Sequence, residues 1–468
     1  MQSDTEYFQY LLGRLDEAVD LSLLAGFLKY TPAGELAHAP FSLNPFPIPA
    51  GVSGEMEQLT PILNSLMLGV SRDLDFLRET LGPAARSDEF LARLLKMLRP
   101  EEERQPMRLL ATRSDYFLSG GKGRGKAKAG AGDTFGFKQI EMNTIAAGYA
   151  GLSLLIFRLH SFLMAALPKA GRMLENKALP EVADIMSLAL ARYGHPRGRV
   201  FMIVQPGESN IFDQRLIELQ LRQRGVVTRR ITLDELAREG RLEQGHLQAG
   251  DDVAAITYFR AGYGPEDLAS PEAMKAREMI EASSTICVPT LAEQLAGTKK
   301  VQQVLAQPGE AKRFIPAGDV SRVEGVFPGQ WDLEQPFGNG KKPAWKAAFE
   351  NPAGFVLKPQ REGGGHNFFD GELRNLLLEL PEDDRSAYIL MERLRPPEHP
   401  ALLVRQRKHI NVMAVSEVGR FGVLFTDGAN EMINKDVGYL VRTKKADSLE
   451  GGVSAGFGYL SSLIEQET

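Results

Sequence analysis

The stretch Gly354-Phe355-Val356-Leu357-Lys358-Pro359-Gln360-Arg361-Glu362-Gly363-Gly364-Gly365-His366-Asn367 holds the densest chemistry in the chain. An apolar run delivers a lysine to a glycine-rich turn. Glycines let backbone N–H groups close around phosphate oxygens where a Cβ would collide, and Lys358 adds a point charge for the same phosphates. Glu362 supplies a hard oxygen for a Mg2+ that bridges them. The pattern is neither a Walker A loop nor a Gly-x-Gly-x-x-Gly turn, and a triple glycine alone is equally what a flexible turn contains. Glu141 and Asn143, in Gln139-Ile140-Glu141-Met142-Asn143-Thr144, stand two apart on a strand and share a face. They offer two oxygens to a Mg2+ or simply form a polar outer face. Tyr388-Ile389-Leu390-Met391-Glu392-Arg393-Leu394 turns abruptly from apolar to polar, an exit that suits an adenine edge or a strand leaving its sheet. Val441-Arg442-Thr443-Lys444-Lys445, followed by Gly451-Gly452-Val453-Ser454-Ala455-Gly456, pairs cations with a second glycine loop, the composition of a water-excluding lid.

Several elements must position these groups. Leu11, Leu12, Leu15, Ala18 and Val19, then Leu21 and Leu24, recur at helical spacing, and helical periodicity returns over 56–81 and 89–98. The Met and Leu stripes there read as core. The Pro-rich run 39–49 is extended. Strands are expected over 109–117 and 135–142, with the glycine-rich, basic run 119–132 between them as a solvated hairpin tip. No repeat of solenoid period is visible. From about 196 to 297 strands alternate with helices: Val200-Phe201-Met202-Ile203-Val204, a helix over 211–224, Val226 to Ile231, Val253 to Phe259 and Thr285 to Val288. Uniformly apolar strands separated by helices imply a parallel sheet covered on both faces. Ligands of such sheets bind beyond the strands' carboxyl ends, which singles out Glu208-Ser209-Asn210 and Arg260-Ala261-Gly262-Tyr263, unless these are ordinary loop residues.

Composition narrows the class. The 468 residues suffice for roughly two to four domains. With 55 Lys+Arg against 60 Asp+Glu the net charge is −5, and 43% apolar with 25% charged residues is ordinary globular usage. A mainly disordered chain and a dedicated nucleic-acid binder are both disfavoured. The single cysteine, Cys287, excludes an intrachain disulfide framework and a Cys-rich zinc site, and its apolar neighbours make it a core thiol. The longest apolar run, 146–157, is too short to span a membrane, and the early acidic residues are unlike a targeting signal. A cytoplasmic enzyme is the expectation, with no nucleic-acid or membrane partner.

Taken together, the motifs resemble those of the eukaryotic-type glutathione synthetases of the ATP-grasp superfamily. The resemblance rests on Arg113-Ser114-Asp115-Tyr116, Lys138-Gln139-Ile140-Glu141 with Asn143-Thr144-Ile145, Asn210-Ile211-Phe212-Asp213-Gln214-Arg215, Gln294-Leu295-Ala296-Gly297-Thr298-Lys299-Lys300-Val301-Gln302-Gln303, Leu357 to Gly365, and Leu440 to Lys444. It covers nearly the whole chain. It implies an α/β fold, an ATP-grasp body with an inserted parallel-sheet substrate-binding domain: 1–195 with 298–468 as the discontinuous body and 196–297 as the insert. It implies ligation of γ-glutamylcysteine to glycine with ATP and Mg2+, through an acyl phosphate, by a homodimer.

The resemblance also carries roles onto residues. Glu141, Asn143 and Glu362 match metal ligands. Lys299, Lys358 and Gly363-Gly364-Gly365 match triphosphate contacts, with Asn367 and Phe369 beside them. Met391, Glu392, Arg393, Leu394, Glu417, Lys444 and Glu450 match residues around adenine, ribose or neighbouring phosphates. Arg113, Ala146, Gly148, Glu208, Asn210, Gln214, Arg260 and Tyr263 match the γ-glutamylcysteine site, and Arg442, Val453 and Ser454 close over dipeptide and glycine. Lys299, Lys358, Arg113 and Arg442 are the expected catalytic cations. The chain departs from the family pattern at Ala146 and Gly148, where relatives often carry serines, and at Ala261, Phe369, His366 and Ser454. These departures leave open a related ligase using β-alanine or another amine; a non-catalytic nucleotide-binding homologue is the other alternative.

Overall fold

In the computed structural model the described residues are 4–31, 33–99, 105–119, 136–167, 171–338, 340, 342–360, 367–428, 430–449, 452–453 and 456–466. The basic run at 120–132, the turn from Arg361 to His366, Glu450, Gly451, Ser454 and Ala455 lie outside them.

The largest sheet has seven strands, in the order His399–Arg405, Phe41–Ser42, Tyr459–Ser461, Asn430–Lys445, Lys408–Asp427, Arg108–Leu118 and Phe137–Asn143. His399–Arg405 also pairs with the start of Lys408–Asp427, so part of the ladder closes on itself. Strands from both ends of the chain therefore lie side by side. Arg108–Leu118 is buried along nearly its whole length, so polar residues in its centre face protein or a cleft.

The helix Val52–Arg72 covers this sheet with Met56, Leu59, Leu63, Leu66, Met67 and Val70, spaced by three and four residues. The continuous periodicity expected over 56–81 in fact spans two helices. Asp73 breaks it, accepting a 2.9 Å hydrogen bond from Phe76 N and capping Leu74–Ala85.

A second sheet takes all its strands from Gly198 to Val288. Gly198–Ile203, Thr228–Ile231, Asp252–Phe259 and Ile286–Val288 are mutually parallel, as expected. The sheet is nonetheless mixed, because the hairpin Gly240–Glu243 and His246–Ala249 adds antiparallel to the start of Asp252–Phe259. A tight turn through Gly245, at φ 83°, joins the hairpin's strands. Cys287 is buried in the last parallel strand.

A third, antiparallel sheet of Gln330–Trp331, Tyr388–Glu392 and Phe355–Pro359 has its own apolar core, with Leu333, Ala347, Leu357, Leu373, Leu377 and Leu390. No helix among the described residues is long and apolar enough to cross a membrane.

Candidate active site

A cleft of about 640 Å³ lies where the three sheets meet. Five separate stretches bring charge to it. Arg113 comes from Arg108–Leu118, Glu141 and Asn143 from Phe137–Asn143, Lys299 from the start of the helix Lys299–Leu305, Lys358 from Phe355–Pro359, and Arg442 from Asn430–Lys445. Glu141 and Asn143 both line the cleft. A bulge at Ile140 sets their register, since Asp115 pairs with Glu141 but Tyr116 with Gln139. Gln302 fixes that strand to the Lys299 helix: its amide accepts from Met142 N at 2.8 Å and donates to Met142 O at 3.2 Å and Gly297 O at 2.6 Å. Gly297 itself is required by crowding, because a Cβ there would lie 2.2 Å from Thr144 Oγ1.

The electrostatics follow from this convergence. Burial alone would raise the Glu141 carboxyl, yet Lys299, Lys358, Arg442 and Arg113 outweigh it and hold the group at about 2. Burial pushes the Lys358 ammonium down to about 8, with Lys299 adding repulsion while Glu141 and Glu417 oppose the shift. Its Nζ donates to Ile140 O at 3.4 Å. Burial also raises the Glu417 carboxyl, against the pull of Arg442, with which it is ion-paired. The Asn143 amide nitrogen donates to Asp115 Oδ2 at 3.0 Å and Arg113 O at 3.3 Å, which leaves its oxygen available. A carboxylate and an amide oxygen fit a hard divalent cation. No three His, Cys, Asp or Glu side chains cluster as a metal site among the described residues.

At one end of the cleft, Val356, Met391 and Val415 form an apolar wall beside Glu392, Arg393 and Leu394, with Asn367, Phe369 and Lys444 also lining it. The Glu392 carboxylate turns away to accept from Gly329 N at 3.2 Å. Arg393 pairs with Asp370 at 2.7 Å and lies over the Phe369 ring. Lys444 Nζ donates to Leu449 O at 2.8 Å, tethering the segment that leads to the second glycine loop.

At the other end lie Ala146, Gly148, Glu208, Asn210, Arg260, Tyr263 and Val453. Glu208 and Arg260 follow the parallel strands Gly198–Ile203 and Asp252–Phe259, on the carboxyl edge as the sequence implied. Glu208 accepts from Asn210 N at 2.6 Å. Gln214 is absent from the cleft wall; it stands behind Glu208, donating to it at 2.9 Å while accepting from Arg230 at 2.8 Å. Arg260 is buried, donating to Tyr258 Oη at 3.3 Å. Ala146 and Tyr149 hold φ of 50° and 77°, a strained conformation at the rim of the cleft.

Two buried acids escaped the sequence reading. Asp213 accepts from the backbone N–H groups of Tyr149 and Gly151 at 2.8 Å and of Leu152 at 3.1 Å, capping the helix Ala150–Met164 from a different element. It lies 3.7 Å from Arg260. Asp115 accepts from Arg113, Arg442 and Asn143. Both sit inside motifs quoted for the resemblance, but apart from Arg113 their partners are remote in sequence. Glu362, Gly363, Gly364, Gly365, Glu450 and Ser454 lie outside the described residues.

Comparison with known proteins gives a consistent result. A family model described as eukaryotic glutathione synthase, ATP binding domain, matches residues 15–464. The chain is 36% identical to the chloroplastic glutathione synthetase of Arabidopsis thaliana, covering 94% of this chain and 82% of that one. It is 34% identical to the glutathione synthetase of Homo sapiens, covering 95% of each. A solved structure of a glutathione synthetase-like effector from Globodera pallida, in its apo form, superposes with a TM-score of 0.76 over 98% of this chain and 97% of that one, at 23% identity.

Proposed function

The chain belongs to the eukaryotic glutathione synthase family, and from that premise we propose that it is a glutathione synthetase, joining γ-glutamylcysteine to glycine while ATP becomes ADP and phosphate. The observation that carries this reading is the meeting in one cleft of Lys299, Lys358, Glu141, Asn143, Arg113 and Arg442.

A carboxylate resists attack by an amine and must first be activated. The cysteinyl carboxylate oxygen attacks the γ-phosphorus, the bond to the β–γ bridging oxygen breaks, and ADP departs. The amine of glycine then attacks the acyl carbon, phosphate leaves, and the amine's proton is released. Negative charge gathers where triphosphate and carboxylate meet, and preorganised cations offset it. Lys299 and Lys358 hold the phosphates, while Arg113 and Arg442 clamp carboxylates and keep the reactants in line. Glu141 and Asn143, with Glu362, would hold the Mg2+. When bound, that ion draws charge from the phosphoryl oxygens and eases attack at phosphorus. The Val356, Met391 and Val415 wall receives the adenine, and Glu208, Asn210, Arg260 and Tyr263 receive the γ-glutamyl end. No enzyme nucleophile is needed.

We place the catalytic body in 1–195 and 298–468 and the substrate-binding unit in 196–297. In support, the mixed sheet draws only on 198–288, whereas the seven-stranded sheet draws on both ends of the chain. We further propose a homodimer, for which the exposed Tyr30, in tilted ring contact with Phe212 and paired across strands with Leu36, offers an apolar edge. A cytoplasmic setting suits an acidic chain whose one cysteine is buried.

The test is ADP release from purified protein with ATP and Mg2+. Release that requires both γ-glutamylcysteine and glycine is expected, and none with both present overturns the reading. Running β-alanine beside glycine fixes the acceptor.

A further inference from the structure

We infer, on the ligase reading above, that Asp115 is a positioning residue that sets the spacing of the two carboxylate-binding arginines, Arg113 and Arg442. Asp115 is fully buried and absent from the cleft wall. Its Oδ1 accepts from Arg113 Nε at 2.6 Å. Its Oδ2 accepts from Arg113 Nη2 at 2.8 Å, Arg442 Nη2 at 2.8 Å and the Asn143 amide at 3.0 Å. One carboxylate thus takes four donors from three residues on three strands.

The donors' own inventory shows what this arrangement leaves for substrate. Arg113 spends Nε–H and one Nη2–H on Asp115 and one Nη1–H on Gly148 O at 3.3 Å. Two of its five N–H protons remain. Arg442 spends both Nη2–H protons, on Asp115 and Glu417, and keeps three. Each guanidinium is therefore locked on one side and open on the other. Asp115 also supplies the charge that lets two buried cations approach a single point. By holding the nitrogen of Asn143 it turns that amide's oxygen free.

A second observation shows that the fold makes room for this group. Gly419 pairs with Asp115 across the sheet, and a Cβ there would lie 2.5 Å from Asp115 Oδ1 and 2.8 Å from Arg113 Cδ. Gly419 does not occupy the left-handed region. This glycine serves close approach and not a turn.

Steady-state kinetics of Asp115→Asn decide the matter. The amide keeps the shape but removes the charge and half the acceptor capacity. The KM values for γ-glutamylcysteine and for glycine are expected to rise tenfold or more, while the KM for ATP, held chiefly by Lys299 and Lys358, stays within twofold. A purely structural role would lower kcat through loss of folded protein and leave the KM values alone. Dipeptide and glycine KM values within twofold of wild type overturn the inference. If Asp115→Asn does not fold, Gly419→Ala, which retains every charge but crowds the pair, must give the same KM pattern, and unchanged values overturn it. If neither folds, the wild-type crystal structure with dipeptide decides: Arg113 still bidentate on Asp115 supports the role, and Arg113 released from it overturns the role. A wild-type chain without dipeptide-dependent ADP release overturns the ligase reading and this inference together. Wild-type turnover with unmoved KM values overturns this inference alone.

Discussion

A side chain at Gly148 would place its Cβ 2.7 Å from Nη2 of Arg260. The glycine is thus the space into which this buried guanidinium extends. Arg260 has little freedom to retreat, because its Nη1 donates to Tyr258 Oη and Asp213 lies 3.7 Å from the same Nη2.

Gly148→Ser is therefore expected to displace Arg260 and weaken γ-glutamylcysteine binding about tenfold, with little change in ATP binding. Isothermal titration with each ligand separates the two. Tighter dipeptide binding in the variant would show that Arg260 moves without loss and that the hydroxyl adds a contact.

Asp213 joins three backbone N–H groups to the same arginine. Asp213→Ala removes the shared acceptor of these N–H groups and the carboxylate 3.7 Å from Arg260. Removing one partner of a buried ionic cluster costs about 3–5 kcal/mol. Chemical denaturation is expected to show a loss of that order, with dipeptide binding lost in parallel. A variant as stable as wild type would mean that water replaces the carboxylate there.

Much of this was legible in the residues and some could not have been. The apolar strands that precede Glu208 and Arg260 announced a parallel sheet, because buried parallel strands must be apolar throughout. The alternation around Glu141 and Asn143 announced a shared face, although the Ile140 bulge that sets its register has no sequence signature. The antiparallel hairpin at 240–249 reads locally like any turn, and only tertiary pairing attaches it to the parallel strands. Asp73 looked like one more polar residue in a helical period until its side chain proved to be a cap. Asp115 and Asp213 were invisible as site residues for one reason: an acid takes its meaning from donors, and theirs lie as far away as Arg442 and Tyr149.

Glu141 lies among four cations, so on the proposed reading its charge matters twice, as a metal ligand and as their counter-ion. Glu141→Gln is expected to lower kcat about 100-fold or more, with higher Mg2+ partly restoring it, while dipeptide affinity stays within about twofold. Metal-free ATP binding should persist or tighten, since Lys299 and Lys358 lose their carboxylate. EDTA should abolish wild-type turnover. Unchanged turnover and Mg2+ dependence in Glu141→Gln would remove this residue from the metal site.

Lys358 gives the protein a pH dependence whose sign follows from its position. Its folded value of about 8 lies below the ordinary 10.5 because burial and Lys299 both disfavour the charge. Between those values the unfolded chain binds the extra proton, so stability contributed by this group rises with pH across that window. Binding runs the other way. A triphosphate favours the ammonium, so affinity is level from about pH 7, where the terminal phosphate is fully ionised, to about pH 8 and falls above it, by at most tenfold per unit. Equilibrium binding of a non-hydrolysable ATP analogue without dipeptide avoids the titrations of the substrate thiol and amine. Glu141, held at about 2, stays ionised throughout and adds no acid limb above pH 4. Lys358→Arg, charged at every accessible pH, should abolish the basic limb even if its planar fork binds phosphate less well at this site. A limb that persists unchanged in Lys358→Arg would assign the titration to another group and leave Lys358 charged well above pH 8.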